Sequence, residues 1–199
     1  PFWLRRVDWD HGYLRQRGMA RETAQYFGVG FYAGPGMMSG RLVIPVHDEA
    51  GRLVAYCGRS LDGRSPRYKL PFGFRKSLVL FNLYRAAATG HDTVVVVEGF
   101  FDCMRIHQSG FPGVVALMGT SLSAAQQKLL LGRFRHIVLL LDGDRAGRAG
   151  SACIAERLAG RCSVTIMELD DNEQPDQLAQ DEIRRLLKPL ALECTSDAE

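Results

Sequence analysis

From residue 93 onward the chain alternates short, almost wholly apolar runs with stretches whose apolar residues recur at helical spacing. The runs 93–97, 114–118, 137–141 and 164–167 read as strands buried on both faces, the pattern of a parallel sheet. Between them helices are expected over 101–109, from Ser123 through 131, and over 147–158; Ser123 with Gln126 forms a capping box. This β-α-β-α-β-α-β order predicts an α/β fold with a mostly parallel sheet and helices on both faces. An acidic stretch follows, and Pro175 and Asp176 open a last helix over 178–187.

The first half has a different pattern. Residues 1–12 are aromatic and charged and carry no assignable element. Short helices are expected over 13–19 and 21–27. Gly28, Gly30, Gly34 and Gly36, with Pro35, then suggest a turn-rich connection. The alternation over 41–46 and 52–59, joined by a turn at 48–51, predicts a hairpin. Residues 60–77 are expected to be a loop in which Arg64, Arg67, Lys69, Arg75 and Lys76 interleave with Tyr68, Phe72 and Phe74. Such a mixture suits a groove that tracks phosphates and stacks bases; the alternative is that the aromatics pin the loop to a core. Residues 78–88 read as a short strand and a helix. The expected organisation is a basic α+β subdomain over 1–88, an α/β domain over 89–170, and an acidic segment with a C-terminal helix over 171–199.

Charge sharpens that division. The net charge is +3 over 199 residues, but residues 1–88 hold 14 Lys or Arg against 6 Asp or Glu, and residues 89–199 hold 11 against 16. A +8 half joined to a −5 half points to a polyanionic partner beside a cation site. Cys57, Cys103, Cys153, Cys162 and Cys194 form no C-x-x-C pair, so no zinc site is expected within the chain, and reduced thiols in a cytoplasmic setting are expected. No apolar run approaches bilayer length, so no membrane partner is expected. No secretory leader is visible, and a first residue of Pro suggests a processed chain or an excised fragment.

The candidate chemistry lies where two of the apolar runs end. The run 137–141 stops at Asp142-Gly143-Asp144, and Gly147 lets a helix begin nearby. The run 93–97 stops at Glu98-Gly99, with Asp102 following. Adjacent parallel strands would bring Glu98, Asp142 and Asp144 to one sheet edge, where ligands of open α/β sheets collect. Three carboxylates there repel unless a cation joins them. Oxygen ligands without nearby His or Cys suit Mg²⁺ or Mn²⁺. For Asp142 and Asp144 alone, turn formation and helix capping is the competing role.

With these residues in view, the chain resembles the Toprim family, the metal-binding domain shared by primases, topoisomerases and some nucleases. Glu98-Gly99 and Asp142-Gly143-Asp144 stand at its Glu-Gly and Asp-x-Asp marks. The likeness extends to the catalytic core of bacterial DnaG-type primases: 97–102 resembles V-E-G-Y-x-D, 117–121 resembles L-G-T at Gly119 and Thr120, and 142–148 resembles D-G-D-x-A-G-x. Upstream, Tyr13 to Gly18, Phe27 to Phe31, Arg41 to Pro45, Gly58-Arg59, Pro66-Arg67-Tyr68 and Lys76 fall on further motifs of that family. The sequence departs at Gln174-Pro175-Asp176, where the family has D-P-D. The family's zinc ribbon and helicase-binding domain have no counterpart here.

What the resemblance implies is a Rossmann-like Toprim domain preceded by a smaller basic subdomain, acting as a DNA primase. Such a nucleotidyltransferase makes RNA primers on single-stranded DNA and contacts nucleoside triphosphates, the RNA–DNA hybrid and, through a domain not in this chain, a replicative helicase. Glu98, Asp142 and Asp144 are expected to hold two or more Mg²⁺ or Mn²⁺, with Asp176 as a further ligand and Asp102 in support. Arg41, Arg59, Arg67 and Lys76 are expected to grip nucleotide or nucleic-acid phosphates. Gly99, Gly119, Thr120, Gly143 and Gly147 are expected to shape the site. A Toprim nuclease and a catalytically silent nucleic-acid-binding module are the alternatives. A phosphatase with an Asp-x-Asp nucleophile fits less well, because those enzymes need a lysine that residues 145–169 lack.

Overall fold

The computed structural model describes residues 4–63 and 65–193. Residues 1–3, Arg64 and residues 194–199, Cys194 among them, lie outside them. The chain forms two compact units, Pro1–Arg75 and Lys76–Glu199.

The first unit is built on an antiparallel sheet in sequential order, β1 (Val7–Asp8), β2 (Gly30–Tyr32), β3 (Arg41–His47), β4 (Leu53–Ser60) and β5 (Tyr68–Lys69). The β3–β4 hairpin is closed by Asp48, whose Oδ1 accepts from the backbone N–H of Ala50 (3.0 Å) and Arg52 (2.9 Å); Gly51, at φ +77°, supplies the left-handed turn position. Helices α1 (Gly12–Gln16) and α2 (Arg21–Phe27) precede β2, and α2 ends on left-handed Gly28. Met38, Val43 and Tyr56 form a small core with Leu4, Val7, Tyr32 and Leu53 packed on it. Three strands differ from expectation. β1 lies in the unassigned lead-in, β2 in the glycine-rich connection and β5 in the expected loop. Each has two or three residues, too few to show a period.

The second unit opens with a 3-10 turn, Lys76–Leu78, and α3 (Leu83–Ala87), then alternates β6 (Thr93–Val97), α4 (Phe100–Gln108), β7 (Val114–Ala116), α5 (Ala124–Leu131), β8 (His136–Leu139), α6 (Arg145–Leu158) and β9 (Ser163–Ile166). A second 3-10 turn, Pro175–Gln177, and α7 (Gln180–Glu193) follow. The four strands lie in the order β7-β6-β8-β9, and every pair is parallel. This is an α/β fold of the Rossmann-like kind.

The strand expected over 78–88 is a single antiparallel bridge between Phe81 and Ala116. Residues 76–88 belong with the second unit rather than the first, because Leu80, Leu83 and Ala86 share one core with Val94, Val96, Leu139 and Ile154. The segment beyond 170 also belongs there. Ile183 and Leu187 of α7 are fully buried, and Arg184 Nε donates to the Ser109 carbonyl at the end of α4 (3.2 Å).

The strand order sets where the site must be. From β6 the chain steps to β7 on one side, then crosses back to β8 on the other and continues to β9. Right-handed crossovers place α4 on one face and α5 and α6 on the opposite face. The reversal occurs between β6 and β8, and a crevice opens at the carboxyl ends of the strands at such a point.

Among the described residues no helix is long and apolar enough to cross a membrane.

Candidate active site

β6 and β8 run side by side with Val96 opposite Leu139, and Leu140 N–H still donates to the Val96 carbonyl (3.0 Å). The next residues on each strand therefore emerge together at the switch point. Leu140 and Leu141, expected inside the strand, are buried just past its ladder, and they carry the chain into Asp142-Gly143-Asp144.

The Glu98 carboxylate (Oε1) accepts the Asp142 backbone N–H at 3.3 Å. Asp142 Oδ2 accepts from Gln174 Nε2 at 2.9 Å, while its Oδ1 is buried with no hydrogen-bond partner. Burial, reinforced by the negative charges of Asp142, Asp144 and Asp102, pushes the Glu98 carboxyl up to about 7. Burial, then Asp102 and Asp144, pushes Asp142 up to about 6, and the Gln174 hydrogen bond works against that rise. Both groups are held where their charged form lacks a positive partner.

Asp144 has the role weighed as its alternative. Its Oδ1 accepts from Gly147 N–H at 2.7 Å and caps α6, which starts two residues earlier than the sequence suggested. Glycine is required around it for space. A Cβ on Gly147 would run into the Asp142 carbonyl and come within 2.9 Å of Glu98 Oε1. A Cβ on Gly143 would fall on the Asp170 carbonyl, and Gly143 N–H donates to Glu173 O (2.8 Å) while its own carbonyl accepts from Asn172 N–H (3.1 Å). The acidic segment after β9 is thus laced onto the Asp142–Asp144 turn, with Arg148 pairing to Asp171 (2.6 Å) and to the Leu169 carbonyl (3.1 Å).

Asp102 and Asp176 form a neighbouring pair. Asp102 is 7 % exposed. Its Oδ2 accepts from Gly99 N–H (2.9 Å), closing the first turn of α4, and its Oδ1 accepts from Asp176 N–H (3.2 Å). Asp102 therefore joins α4 to the Pro175–Gln177 turn through two backbone donors. A Cβ on Gly99 would stand 2.7 Å from that same carboxylate.

The expected cations divide into two kinds. Arg41 is 6 % exposed and donates through Nη1 to the carbonyls of Gly58 (3.2 Å) and Pro66 (3.0 Å). Arg59 is 5 % exposed, donates to the Tyr68 hydroxyl and lies over the rings of Tyr13 and Tyr68. Both guanidinium groups are engaged inside the first unit. Arg67 and Lys76 are exposed. In the second unit Lys76 Nζ donates to the Met118 carbonyl (2.6 Å), and the next residue, Gly119, donates its N–H to the Glu98 carbonyl (3.2 Å). Thr120 is exposed, and its carbonyl backs onto Gly150 of α6.

Two residues outside the expected set shape this site. Gln126, read only as half of a capping box, is 2 % exposed; its Nε2 donates to the carbonyls of Val79 (2.9 Å) and Leu117 (3.1 Å). It ties the turn that carries Lys76 to the end of β7. Gln174 stood out only as an amide at an acidic position, and its contact with Asp142 links residues 32 apart.

The residues fit a hard divalent cation. Glu98 and Asp142 converge, Asp142 keeps a buried oxygen unpartnered, and all the donors are carboxylate oxygens. As they stand, the described residues do not close three Asp, Glu, His or Cys side chains into one ligand sphere. Asp144 has one oxygen on its helix, and Asp176 sits beside Asp102.

Comparison with known proteins agrees with this architecture. Residues 92–168 match the Toprim domain family. The chain is 39 % identical over 152 residues to the DNA primase of Synechococcus elongatus, and 34 % identical over 149 residues to that of Clostridium acetobutylicum. Each match covers 70 % of this chain but only 22 % and 24 % of the relative, so the chain spans less than a quarter of the length of these relatives. Among solved structures, the E. coli primase catalytic core superposes with a TM-score of 0.74 at 26 % identity, covering 91 % of this chain and 71 % of that one. A DnaG primase catalytic domain bound to single-stranded DNA superposes with a TM-score of 0.76 at 25 % identity, covering 94 % and 75 %. The chain is a Toprim-domain protein that resembles, over most of its length, the catalytic core of bacterial DnaG-type DNA primases.

Proposed function

We propose that this chain carries the nucleotidyl-transfer centre of a DNA primase, joining ribonucleotides into short primers on a single-stranded DNA template. The observation that carries the reading is the convergence of Glu98 and Asp142 at the β6/β8 switch point, with a buried Asp142 oxygen left unpartnered. The likeness to primase catalytic cores supports it.

Glu98, Asp142 and Asp144 would hold Mg²⁺ or Mn²⁺, with Asp176 and its partner Asp102 alongside. The chemistry such ions supply when bound is Lewis acidity, easing loss of the 3′-hydroxyl proton and neutralising the departing pyrophosphate. The chain's own residues orient and hold charge. Gln174 fixes the rotation of the Asp142 carboxylate, and the Gly147 N–H fixes Asp144. Lys76, tethered at Met118 next to the Glu98 loop, offers an exposed ammonium for a triphosphate, and Arg67 offers a guanidinium for the nucleic-acid backbone. Arg41 and Arg59 hold β3, β4 and β5 together around Arg67.

Primer synthesis is tested by supplying labelled ribonucleotides, Mn²⁺ and single-stranded DNA. Short RNA products that vanish in Asp142→Asn support the reading. Cleavage of plasmid DNA without RNA synthesis would favour the nuclease alternative. Failure to bind Mn²⁺, with neither reaction, would favour a silent nucleic-acid-binding module.

A further inference from the structure

Phe72 is the one large apolar side chain among the described residues that is fully exposed, at 107 % of its reference area; Trp9, Tyr26, Met37 and Val54 are each exposed by less than half. It is held outward by a closed turn. Phe74 N–H donates to the Pro71 carbonyl (3.1 Å), and Gly73 sits at φ +78°, the geometry of a type II turn with Phe72 at its first corner. Pro71 and Phe74 on either side are partly buried, so the turn is anchored while its corner ring touches nothing. Of the three aromatics in this segment, Tyr68 and Phe74 pack inward; Phe72 does not.

The charge around it is one-sided. Between Asp62 and Asp92 the sequence has no carboxylate side chain and six Lys or Arg. Of these, Arg67 and Arg75 are exposed in the same unit as Phe72. A protein-docking face needs a contiguous apolar patch, and within this loop Phe72 stands alone. A single accessible π-face among cations matches an unpaired base whose backbone phosphates meet the cations.

We propose that Phe72 is a stacking platform for an unpaired base of single-stranded nucleic acid, with Arg67 and Arg75 holding the flanking phosphates. This deepens, and rests on, the primase reading, and it assigns a role to a turn lying outside the carboxylate cluster.

The test is fluorescence anisotropy of a labelled short DNA, single-stranded and as a duplex, with the full chain in EDTA so that the carboxylate cluster takes no part. Phe72→Ala should weaken single-strand binding roughly 5- to 100-fold, the range of one lost base–aromatic stack, and leave duplex binding and the urea midpoint unchanged. Phe72→Trp should bind at least as tightly as the parent, and Phe72→Leu should behave like Phe72→Ala. Phe72→Ala should keep the parent's salt dependence, whereas Arg75→Ala should reduce the slope by about 0.7. Equal single-strand affinity for the parent and Phe72→Ala, or full affinity in Phe72→Leu, would overturn the stacking role while leaving the primase reading intact. A parent chain that binds no single strand at all would remove both.

Discussion

Gln174 donates its side-chain amide to Asp142 Oδ2 at 2.9 Å, leaving Oδ1 of the same carboxylate buried and unpartnered. The amide is itself placed by its turn, where Gln174 N–H donates to Gln177 Oε1 (3.0 Å), and by the Gly143–Glu173 backbone bond. A neutral donor beside a repelled carboxylate orients it without adding charge. Gln174→Leu should lower Mn²⁺ affinity by roughly 10- to 100-fold, as loss of a group that orients a metal ligand does, measured by isothermal titration calorimetry. Gln174→Glu should destabilise the metal-free protein at pH 8 and recover when Mn²⁺ is added.

Glu98 gives a pH dependence whose sign follows from its environment. Its folded-state carboxyl titrates at about 7 against an ordinary 4.5, so the folded state binds more protons than the unfolded state between those values. Stability from this group is therefore fully present below about pH 4.5 and is lost as pH rises through about 7. In EDTA, wild type should lose unfolding free energy relative to Glu98→Gln between pH 5 and pH 8. Saturating Mg²⁺ should remove that difference. Paired urea titrations at the two pH values check it.

Asp144 separates capping from charge. Asp144→Asn keeps an acceptor for Gly147 N–H and should leave the urea midpoint nearly unchanged while reducing Mn²⁺ binding. Asp144→Ala removes the cap of the 14-residue helix α6 and should cost about 1 kcal/mol of stability as well.

Gly147 tests the close approach of the two strand ends. Gly147→Ala would press a methyl group against the Asp142 carbonyl and the Glu98 carboxylate, and displaced backbone in a packed site costs about 1–3 kcal/mol. Chemical denaturation should show that loss, and Mn²⁺ binding should weaken with it.

The parallel sheet was legible because long apolar runs have only one way to be buried, and the placement of Glu98, Asp142 and Asp144 at its edge because two of those runs, 93–97 and 137–141, stop at an acidic residue beside glycine. Two kinds of feature were not legible. Strands β1, β2 and β5 pair through backbone groups over two or three residues, with no periodic signal to read. The fate of the cations depends on partners distant in sequence. Nothing local to Arg59 shows that Tyr13 and Tyr68 enclose it, or that Arg41 reaches the Pro66 carbonyl, whereas Arg67 and Lys76 look the same in sequence and stay exposed. Asp176 shows the same limit. Nothing local to it shows that its backbone N–H bonds to the carboxylate of Asp102, a contact 74 residues away.

The central claim, that the ends of β6 and β8 assemble a divalent-cation site, is tested most directly by anomalous difference density from a crystal of this protein soaked in Mn²⁺. A peak is expected within coordination distance of Asp142 Oδ1 and the Glu98 carboxylate, absent from Asp142→Asn crystals soaked in parallel. Density elsewhere, or none with both carboxylates well ordered, would contradict it.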